Sequence, residues 1–300
     1  MTRRETGPSV AAPAVPVLAV VGVGLIGGSF AAALRRAGQV GRVVGVGRHA
    51  GTLERARELG LIDAIGSLED AARADLVLLA APVGAMESLL AGLRPHLRPD
   101  TVVTDAGSTK HEVVQAARRA LGAQVGQFVP GHPIAGSDAT GPDAASADLY
   151  RGRTVILTPL PENGDAGPAR VRQAWEACGA QVRAMDPAEH DCALAAVSHL
   201  PHWLAALYML YVAECPDAGR RLELAGSGFR DFTRIAGGSP EMWRDIFLSN
   251  RTAMLQEIQA LNTVLQEAEQ ALSRQDGQAL QSLLERAAGA RRAWGGERSE

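Results

Sequence analysis

A histidine and a serine in this chain stand where they could move a proton. His132 lies between Gly131 and Pro133 in "FVPGHPIAGS", directly after an apolar run that is typical of a β-strand. Histidine titrates near neutral pH and therefore suits a general base, which takes the proton of a reacting hydroxyl. Ser108, in "TDAGSTKHE", could hydrogen-bond the same hydroxyl or orient the imidazole. We expect His132 and Ser108 to be the catalytic pair.

The residues after Ser108 predict the start of a helix. Thr109 followed by Glu112 has the spacing of a capping box, in which both side chains bond backbone N–H groups at the helix start. Because Thr109 would supply the cap, Ser108 is expected to be free for chemistry. A structural role in a stiff turn is the alternative for His132.

A second pair of rings, His199 and His202, lies in "VSHLPHWL" with Pro201 between them. Two histidines on one helical face could bind zinc, but His190 or Asp191 stands two turns or more away, so a third ligand at suitable spacing is missing and we expect no metal. Proline removes a backbone donor and crowds the carbonyl four residues back. The helix should kink there and shape a pocket wall. A structural role for both rings is the alternative.

An arginine among aromatic residues follows in "GSGFRDFTRIAGGSPEMWRD". A guanidinium donates two parallel hydrogen bonds and therefore suits a carboxylate ligand. Arg230 and Asp231 are adjacent and could form a surface ion pair. That leaves Arg234 as the expected carboxylate-binding residue.

The stretch "VVGVGLIGGSF" places Gly22, Gly24 and Gly27 in the pattern GxGxxG, after a predicted strand and at the start of a helix. Glycine is needed there for a tight turn, for close approach of the backbone to a pyrophosphate and for packing of the helix on the sheet. Free N–H groups at the helix N-terminus favour the phosphate charge. We expect a nicotinamide dinucleotide at this loop. The predicted cofactor contacts are Gly22, Gly24, Leu25, Ile26, Gly27, Arg48, Pro82 and Asp105.

The choice between NAD and NADP depends on the end of the second strand. An acidic residue there would bond the ribose 2′-hydroxyl of NAD, but "RVVGVGRHA" has Gly47 followed by Arg48 and His49. Arg48 could pair with a 2′-phosphate, which favours NADP or the use of both cofactors. The alternative is that Arg48 stacks on the adenine and NAD binds.

The elements that would position these residues follow an alternating pattern up to Asp186. Apolar, β-rich runs alternate with helical patterns, which is typical of βαβ units and a parallel sheet. Strands are predicted at "VLAVVGVG", "RVVGVG", "ADLVLLAAP" and residues 101–104, 127–129, 154–157 and 181–185. Ligands of such sheets bind beyond the carboxyl ends of the strands, which is where Asp105, Ser108 and His132 fall.

After Asp186 every pattern is helical, so we predict an α/β chain with two domains. A Rossmann-type dinucleotide-binding domain spans residues 16–186, after a disordered leader at residues 1–15. An all-helical C-terminal domain for dimerisation and substrate binding spans residues 187–300.

Two long helices are predicted in the second domain. The helix that starts at Pro187 is apolar around most of its middle and should be buried. A helix that starts near Ser239 should carry an apolar stripe of Met254, Ile258, Leu261, Leu265, Ala268 and Leu272. A long, continuous apolar stripe of this kind often packs against a second subunit, so we predict a homodimer.

Composition argues against a nucleic-acid-binding, disulfide-rich or membrane protein. The net charge of -3 gives no electrostatic footprint for DNA or RNA. The three cysteines are scattered without CxxC pairs, which indicates neither a disulfide framework nor a cysteine metal site and fits the cytoplasm. The apolar run from Val15 to Leu34 is rich in glycine and is accounted for by the nucleotide loop, so we expect no export signal and no membrane.

Taken together, these motifs resemble the prephenate and arogenate dehydrogenases of tyrosine biosynthesis. The resemblance rests on "GVGLIGGSF", "DAGSTK", "GHPIAGS", "EHD" with "AVSHLPH", and "GFRDFTRIA" with "MWRDIF", in that order, across almost the whole chain. It implies that Ser108 and His132 act at the substrate 4-hydroxyl, with His132 as the base. It also implies that His202 binds substrate and that Arg234 holds a substrate carboxylate.

Weaker parts of the resemblance concern four further residues. Asp191 and Trp243 match positions that the family places near the active-site entrance, and they are expected to contact substrate. Ser198 and His199 are expected to support the site.

The implied reaction is oxidative decarboxylation of prephenate to 4-hydroxyphenylpyruvate with NAD or NADP. Arogenate, with an amine in place of the keto group, is an alternative substrate, and His202 favours the keto acid. A β-hydroxyacid dehydrogenase with Lys110 as catalytic residue lacks a well-placed asparagine partner. A non-catalytic NAD(P)-sensing dimer is the alternative from a different class.

Overall fold

The computed structural model describes residues 13–137 and 139–296. Most of the predicted leader, residues 1–12, lies outside the described residues, and the first strand begins at Val15. Contacts divide the chain into two compact units, Met1–Asn250 and Arg251–Glu300. The domain boundary after residue 186 stays a prediction.

A six-stranded parallel sheet forms the centre of the first unit. Its strands are β1 Val15–Val21, β2 Val40–Val46, β3 Ala64–Ile65, β4 Leu76–Leu79, β5 Val102–Asp105 and β6 Phe128–Val129. The order β3-β2-β1-β4-β5-β6 is that of a doubly wound nucleotide-binding sheet, with the reversal between β1 and β4. Continuous apolar strands such as β4, which is buried throughout, suit a sheet covered on both faces.

Helices cover the sheet on both faces and continue to the end of the unit. They are α1 Leu25–Arg36, α2 Ala50–Glu58, α3 Leu68–Ala72, α4 Met86–Leu93, α5 His111–Leu121, α6 Ala166–Ala177, α7 Pro187–Leu194, α8 Leu200–Ala213, α9 Ala218–Glu223, α10 Ser227–Thr233 and α11 Pro240–Ser249. One core layer centres on Trp175, whose ring lies 4.4 Å from that of Phe30. The other contains Met86 and Phe128. Each fully buried side chain of this size contributes about 1.5–3 kcal/mol.

A second, three-stranded sheet contains β7 Gly131–Pro133, β8 Thr154–Leu157 and β9 Gln181–Ala184. The sequence predicted β8 and β9 but not β7, which is too short to show a pattern. β7 runs antiparallel to β8, and β8 runs parallel to β9. His132 therefore lies on a strand, paired with Ile156, rather than in a loop.

The helix that carries "VSHLPHWL" contains a π-helical turn, Ala195–His199, between α7 and α8. A wider turn accommodates Pro201, which cannot donate to the helical ladder. The prediction that this helix is buried is wrong for the single chain, because only one side of it, which includes Leu200 and Val212, is buried. Val197 is 75% exposed and Tyr211 is 61% exposed.

The second unit is a pair of helices, α12 Arg251–Ser273 and α13 Gly277–Gly296, which contact each other. Glu267 and Arg286 form an ion pair between them. The helix predicted from Ser239 onward is interrupted at Asn250, where α11 ends and α12 begins. Of the predicted stripe, Leu265 and Leu272 are more than half exposed.

Candidate active site

The glycine loop between β1 and α1 has open space beside Gly24. Gly22 has φ +96°, and a Cβ there would overlap the carbonyl of Ala80. A Cβ at Gly27 would overlap the carbonyl of Gly22, whereas a Cβ at Gly24 would meet nothing within 4 Å. Gly24 precedes α1, which has no side-chain cap among the described residues. Open space and free N–H groups at this helix start fit a pyrophosphate.

The other predicted cofactor residues follow neighbouring strands at the same edge of the sheet. Leu25 and Ile26 open α1, and the carbonyl of Ile26 accepts a 2.6 Å hydrogen bond from the Tyr150 hydroxyl. Pro82 follows β4 and precedes a short 3-10 turn. Arg48 is exposed just beyond β2, so its guanidinium is available to a nucleotide at this edge.

Asp105 differs from the predicted cofactor contact. It is fully buried, and its carboxylate accepts hydrogen bonds from the N–H groups of Gly107 (2.8 Å) and Gly131 (3.0 Å). The same carboxylate forms a buried ion pair with Lys110, the one lysine in the sequence. A buried charge is stable only when paired and hydrogen-bonded, as here. Asp105 therefore ties the turn after β5 to the start of β7.

The N-terminus of α5 is capped from a distant part of the chain. The predicted capping box of Thr109 and Glu112 is wrong, because Thr109 Oγ1 instead lies 2.7 Å from Ser249 Oγ. Asp191 accepts from the N–H of His111 (2.8 Å) and from the N–H of the preceding residue (2.8 Å). The helix dipole also stabilises a negative carboxylate at this N-terminus.

Asp191 consequently differs from the residue expected near the active-site entrance. It is only 3% exposed, and both of its carboxylate oxygens accept hydrogen bonds. Burial alone would raise its pKa, but the bonds from His190, His111 and Lys110 outweigh burial and lower the pKa of Asp191 below its ordinary value. Asp191 is therefore an ionised, internal carboxylate.

His132 projects from β7 toward residues of the helical segment. Its Nδ1 lies 2.9 Å from Nε2 of His190, and the ring is half-buried. Burial first, and then the charges of His190, Lys110 and His199, hold the pKa of His132 well below 6.5. The imidazole is therefore neutral at physiological pH, as a proton acceptor must be.

Ser108 lies three residues beyond β5 and is half-buried. The turn that carries it is fixed at one end by Asp105 and at the other by the bonds to Asp191. Since β5 and β6 are adjacent in the sheet, Ser108 and His132 both follow neighbouring strand ends. Their roles as a catalytic pair stay a prediction.

The predicted substrate residues lie on three helical segments that pack near one another. His202, on α8, stacks on Trp243 of α11 with ring centroids 3.5 Å apart and planes at 22°. Arg234 opens a 3-10 turn that packs against α8, and it is exposed. The roles of His202, Trp243 and Arg234 toward a substrate stay predictions.

Two buried polar residues beside this site were not predicted to belong to it. His190 lies between His132 and Asp191, and Asn250 contacts His199. The sequence did contain a signal for each. His190 directly precedes Asp191, a predicted substrate contact, and Asn250 is a polar residue in an otherwise helical, apolar pattern.

The described part of the chain holds no group of three or more metal-binding side chains. A neutral imidazole at His132 and the hydroxyl of Ser108 follow neighbouring strand ends of a sheet whose glycine loop fits a dinucleotide. These groups suit proton removal coupled to hydride transfer.

Two family models together match most of the chain. Residues 30–184 match the nucleotide-binding domain of prephenate dehydrogenase, and residues 186–286 match its dimerization domain.

Individual relatives agree with the family models. A cyclohexadienyl dehydrogenase of Zymomonas mobilis is 35% identical over 264 residues, which cover 87% of this chain and 89% of that protein. The crystal structure of prephenate dehydrogenase from Aquifex aeolicus in complex with hydroxyphenyl propionate and NAD+ superposes with a TM-score of 0.87. It is 34% identical and covers 95% of this chain and 99% of its own. Synechocystis arogenate dehydrogenase superposes with a TM-score of 0.79 at 33% identity, covering 93% and 99%.

The match thus extends through both halves of the chain, from the dinucleotide-binding sheet to the helices that carry His202 and Arg234. The protein belongs to the prephenate dehydrogenase family, the NAD(P)-dependent oxidoreductases of tyrosine biosynthesis.

Proposed function

We propose that the protein oxidises and decarboxylates prephenate to 4-hydroxyphenylpyruvate, with His132 as the base that takes the 4-hydroxyl proton. The observation that carries the proposal is the placement of His132. Its ring is neutral and hydrogen-bonded at Nδ1 to His190, beyond the carboxyl edge of a dinucleotide-binding sheet.

The chemistry divides between the cofactor and the side chains of this chain. A bound nicotinamide cofactor supplies the hydride acceptor. His132 accepts the hydroxyl proton, and Ser108 hydrogen-bonds the same hydroxyl and holds it toward the ring. Arg234 binds a carboxylate of the dianionic substrate through paired N–H donors. Loss of the ring carboxylate as carbon dioxide makes the product aromatic, so the protein needs only to align the groups and remove one proton.

Arogenate is the second candidate substrate, because Synechocystis arogenate dehydrogenase shares the fold at 33% identity. His202 favours prephenate in our proposal. Its ring is held flat against Trp243 and presents N–H and lone-pair groups to a keto acid, whereas the ammonium of arogenate would call for a carboxylate. Asp191 does not meet that need, because its oxygens are already bonded inside the protein.

We propose that the protein uses NADP or both cofactors. Arg48 is exposed just beyond β2, and no acidic residue follows that strand before α2 begins at Ala50. The Aquifex relative was crystallised with NAD+. Use of both cofactors is therefore consistent with the relative and with the residues of this chain.

We propose a cytoplasmic homodimer in which the exposed apolar surface of α8 is covered by a second subunit. The residues 186–286 match a dimerization domain, and Leu210 and Tyr211 are at least half exposed in the single chain. By length and composition the segment Pro187–Ala213 could also cross a membrane. Buried polar contacts of His190 and His199 favour a soluble domain instead. Light scattering at micromolar concentration should give twice the mass of the chain, and a stable monomer would contradict the dimer.

One assay tests the function. Purified protein is mixed with prephenate or arogenate and with NAD or NADP, and absorbance at 340 nm reports the reduced cofactor. We expect turnover with prephenate and a kcat/KM at least tenfold higher than with arogenate, a ratio of about 1.4 kcal/mol. A higher kcat/KM for arogenate would overturn the substrate assignment, and no turnover with either would overturn the function.

A further inference from the structure

A line of three buried or half-buried groups extends inward from the proposed base. His132 Nδ1 lies 2.9 Å from His190 Nε2, and His190 Nδ1 lies 2.7 Å from Asp191 Oδ1. His190 has no exposed surface and Asp191 is 3% exposed. Both come from α7, in the helical segment, whereas His132 comes from β7. Helix α7 therefore contacts the imidazole of His132 at Nδ1, through His190.

We propose that His190 and Asp191 are positioning residues that fix His132 as the Nδ1–H tautomer and leave Nε2 as the proton acceptor. The inference rests on the proposed function for the identity of the reaction. The tautomer itself follows from the contacts of the three side chains and does not depend on the substrate.

The direction of the hydrogen bonds follows from the carboxylate. Asp191 is ionised and can only accept, so Nδ1 of His190 must donate to it. In our proposal His190 is the neutral imidazole with its single N–H at Nδ1, which leaves its Nε2 as an acceptor. His132 Nδ1 must then donate to that atom, and Nε2 of a neutral His132 carries the lone pair. The contacts thus assign to Nε2 the role of general base.

The same line stabilises the product of proton transfer. When the substrate O–H bond breaks, an N–H bond forms at Nε2 of His132, and the imidazole becomes a cation. That cation still donates from Nδ1 to His190, with the negative charge of Asp191 at the far end. An acid that orients a histidine and stabilises its charged form is a known device in catalytic triads.

Asp191 also links this line to Ser108. Its Oδ1 accepts from the N–H of Lys110 as well as from His190, and its Oδ2 accepts from the N–H of His111. These are the first N–H groups of α5, directly after the turn that carries Ser108. A single carboxylate therefore fixes the base and the turn of the neighbouring hydroxyl. Because Asp191 variants would lose the helix cap as well, His190 is the residue to change.

Two substitutions of His190 separate its two hydrogen bonds. In His190→Asn the amide N–H lies near the former Nδ1 and retains the bond to Asp191, but nothing accepts from His132. In His190→Gln the amide oxygen lies near the former Nε2 and accepts from His132. The control is Glu189→Gln on the same helix, an exposed position.

With prephenate and the preferred cofactor, we expect His190→Asn to lower kcat about 100-fold while KM stays within about threefold. His190→Gln should recover at least about fivefold of that loss, because it restores the acceptor for His132. Glu189→Gln should match the wild type. A kcat within about twofold of wild type for His190→Asn, or equal losses in the Asn and Gln variants, would overturn the positioning role.

Nitrogen NMR of the histidine rings gives a test that needs no substrate. The chain has seven histidines, and the signals of His132 are assigned from their absence in His132→Asn. We expect wild-type His132 to be protonated at Nδ1 and bare at Nε2, and to lose this preference in His190→Asn. A wild-type Nε2–H tautomer, or a His190 protonated on both nitrogens, would overturn the inference. If wild type turns over neither substrate, the proposed function fails and these spectra still decide the tautomer.

Discussion

The side-chain amide of Asn250 lies 3.1 Å from Nδ1 of His199. The same nitrogen donates a 2.7 Å hydrogen bond to the main-chain carbonyl of Asp191. Asn250 is the residue at which α11 ends, and both it and His199 are buried. Because the amide donates, Nδ1 of His199 accepts, and His199 is held in its neutral form. Asn250, between α11 and α12, thus connects His199 to the main chain of Asp191.

Stability should fall on mild acidification because of His199. Burial, followed by the charges of His190 and His202, outweighs the opposing effect of Asp191 and lowers the pKa of His199 from 6.5 to about 4. Between these two values the unfolded chain binds a proton that the folded protein does not, so stability is lost as the pH falls. Between pH 7.5 and pH 5.0 we expect His199 to contribute a loss of about 2 kcal/mol in the free energy of unfolding.

Urea unfolding at both pH values, at a fixed protein concentration, measures this loss. The variant His199→Gln should show a difference between the two pH values that is smaller by about 2 kcal/mol, whatever its absolute stability. His96→Gln, at an exposed position, is the control and should keep the wild-type difference. A His199→Gln variant with the wild-type pH dependence would contradict the assignment.

Replacing the proposed base should affect turnover much more than binding. His132→Asn retains an N–H near Nδ1 that can donate to His190, but it lacks the acceptor at Nε2. We expect kcat for prephenate to fall about 100-fold or more and KM to change little, since the lost group acts in the transition state. Steady-state kinetics at 340 nm measure both. A kcat within about threefold of wild type would rule out His132 as the base.

Arg234 should act through substrate affinity. Arg234→Ala removes a charge-assisted bond to a carboxylate, and we expect KM for prephenate to rise about 10- to 100-fold. Arg230→Ala, an exposed arginine on α10, is the matched control and should leave KM unchanged. An unchanged KM in Arg234→Ala would count against its role, as would equal effects in the two variants.

Cofactor preference should respond to a carboxylate at the end of β2. A Cβ at Gly47 would lie 3.4 Å from a methyl group of Leu53, an ordinary contact, so Gly47→Asp fits without strain. The new carboxylate would repel the 2′-phosphate of NADP and bond the 2′-hydroxyl of NAD. We expect kcat/KM with NADP to fall about tenfold or more relative to NAD. Arg48→Ala should weaken NADP alone, and equal losses with both cofactors would contradict a contact to the 2′-phosphate.

Local sequence patterns were enough to predict the glycine loop, the parallel sheet and the candidate base. The glycine loop follows from the conformation of Gly22 and from the close approach of backbone at Gly27, which only glycine permits. The parallel sheet follows from continuous apolar strands between helical stretches. His132 was recognised as the candidate base because its residue type and its place after a strand are both local properties.

Long-range hydrogen bonds determined what the sequence did not show. Thr109 has the residue type of a helix cap, but the cap of α5 is Asp191, about eighty residues away in the chain. Asp105 and Lys110 form a buried ion pair, whereas the sequence shows only two polar residues near the end of a strand. Likewise, β7 forms only because β8 pairs with it.

The sequence by itself determined the class of the fold, the dinucleotide loop and the family, because each rests on residue types at fixed local spacing. The tertiary structure alone decided that His190 and Asp191 lie behind His132 and that Nδ1 is the ring nitrogen facing His190, from which we infer that Nε2 accepts the proton. The direction of a hydrogen bond depends on the partner that faces it, and His190 and Asn250 meet their partners across more than fifty positions of the chain.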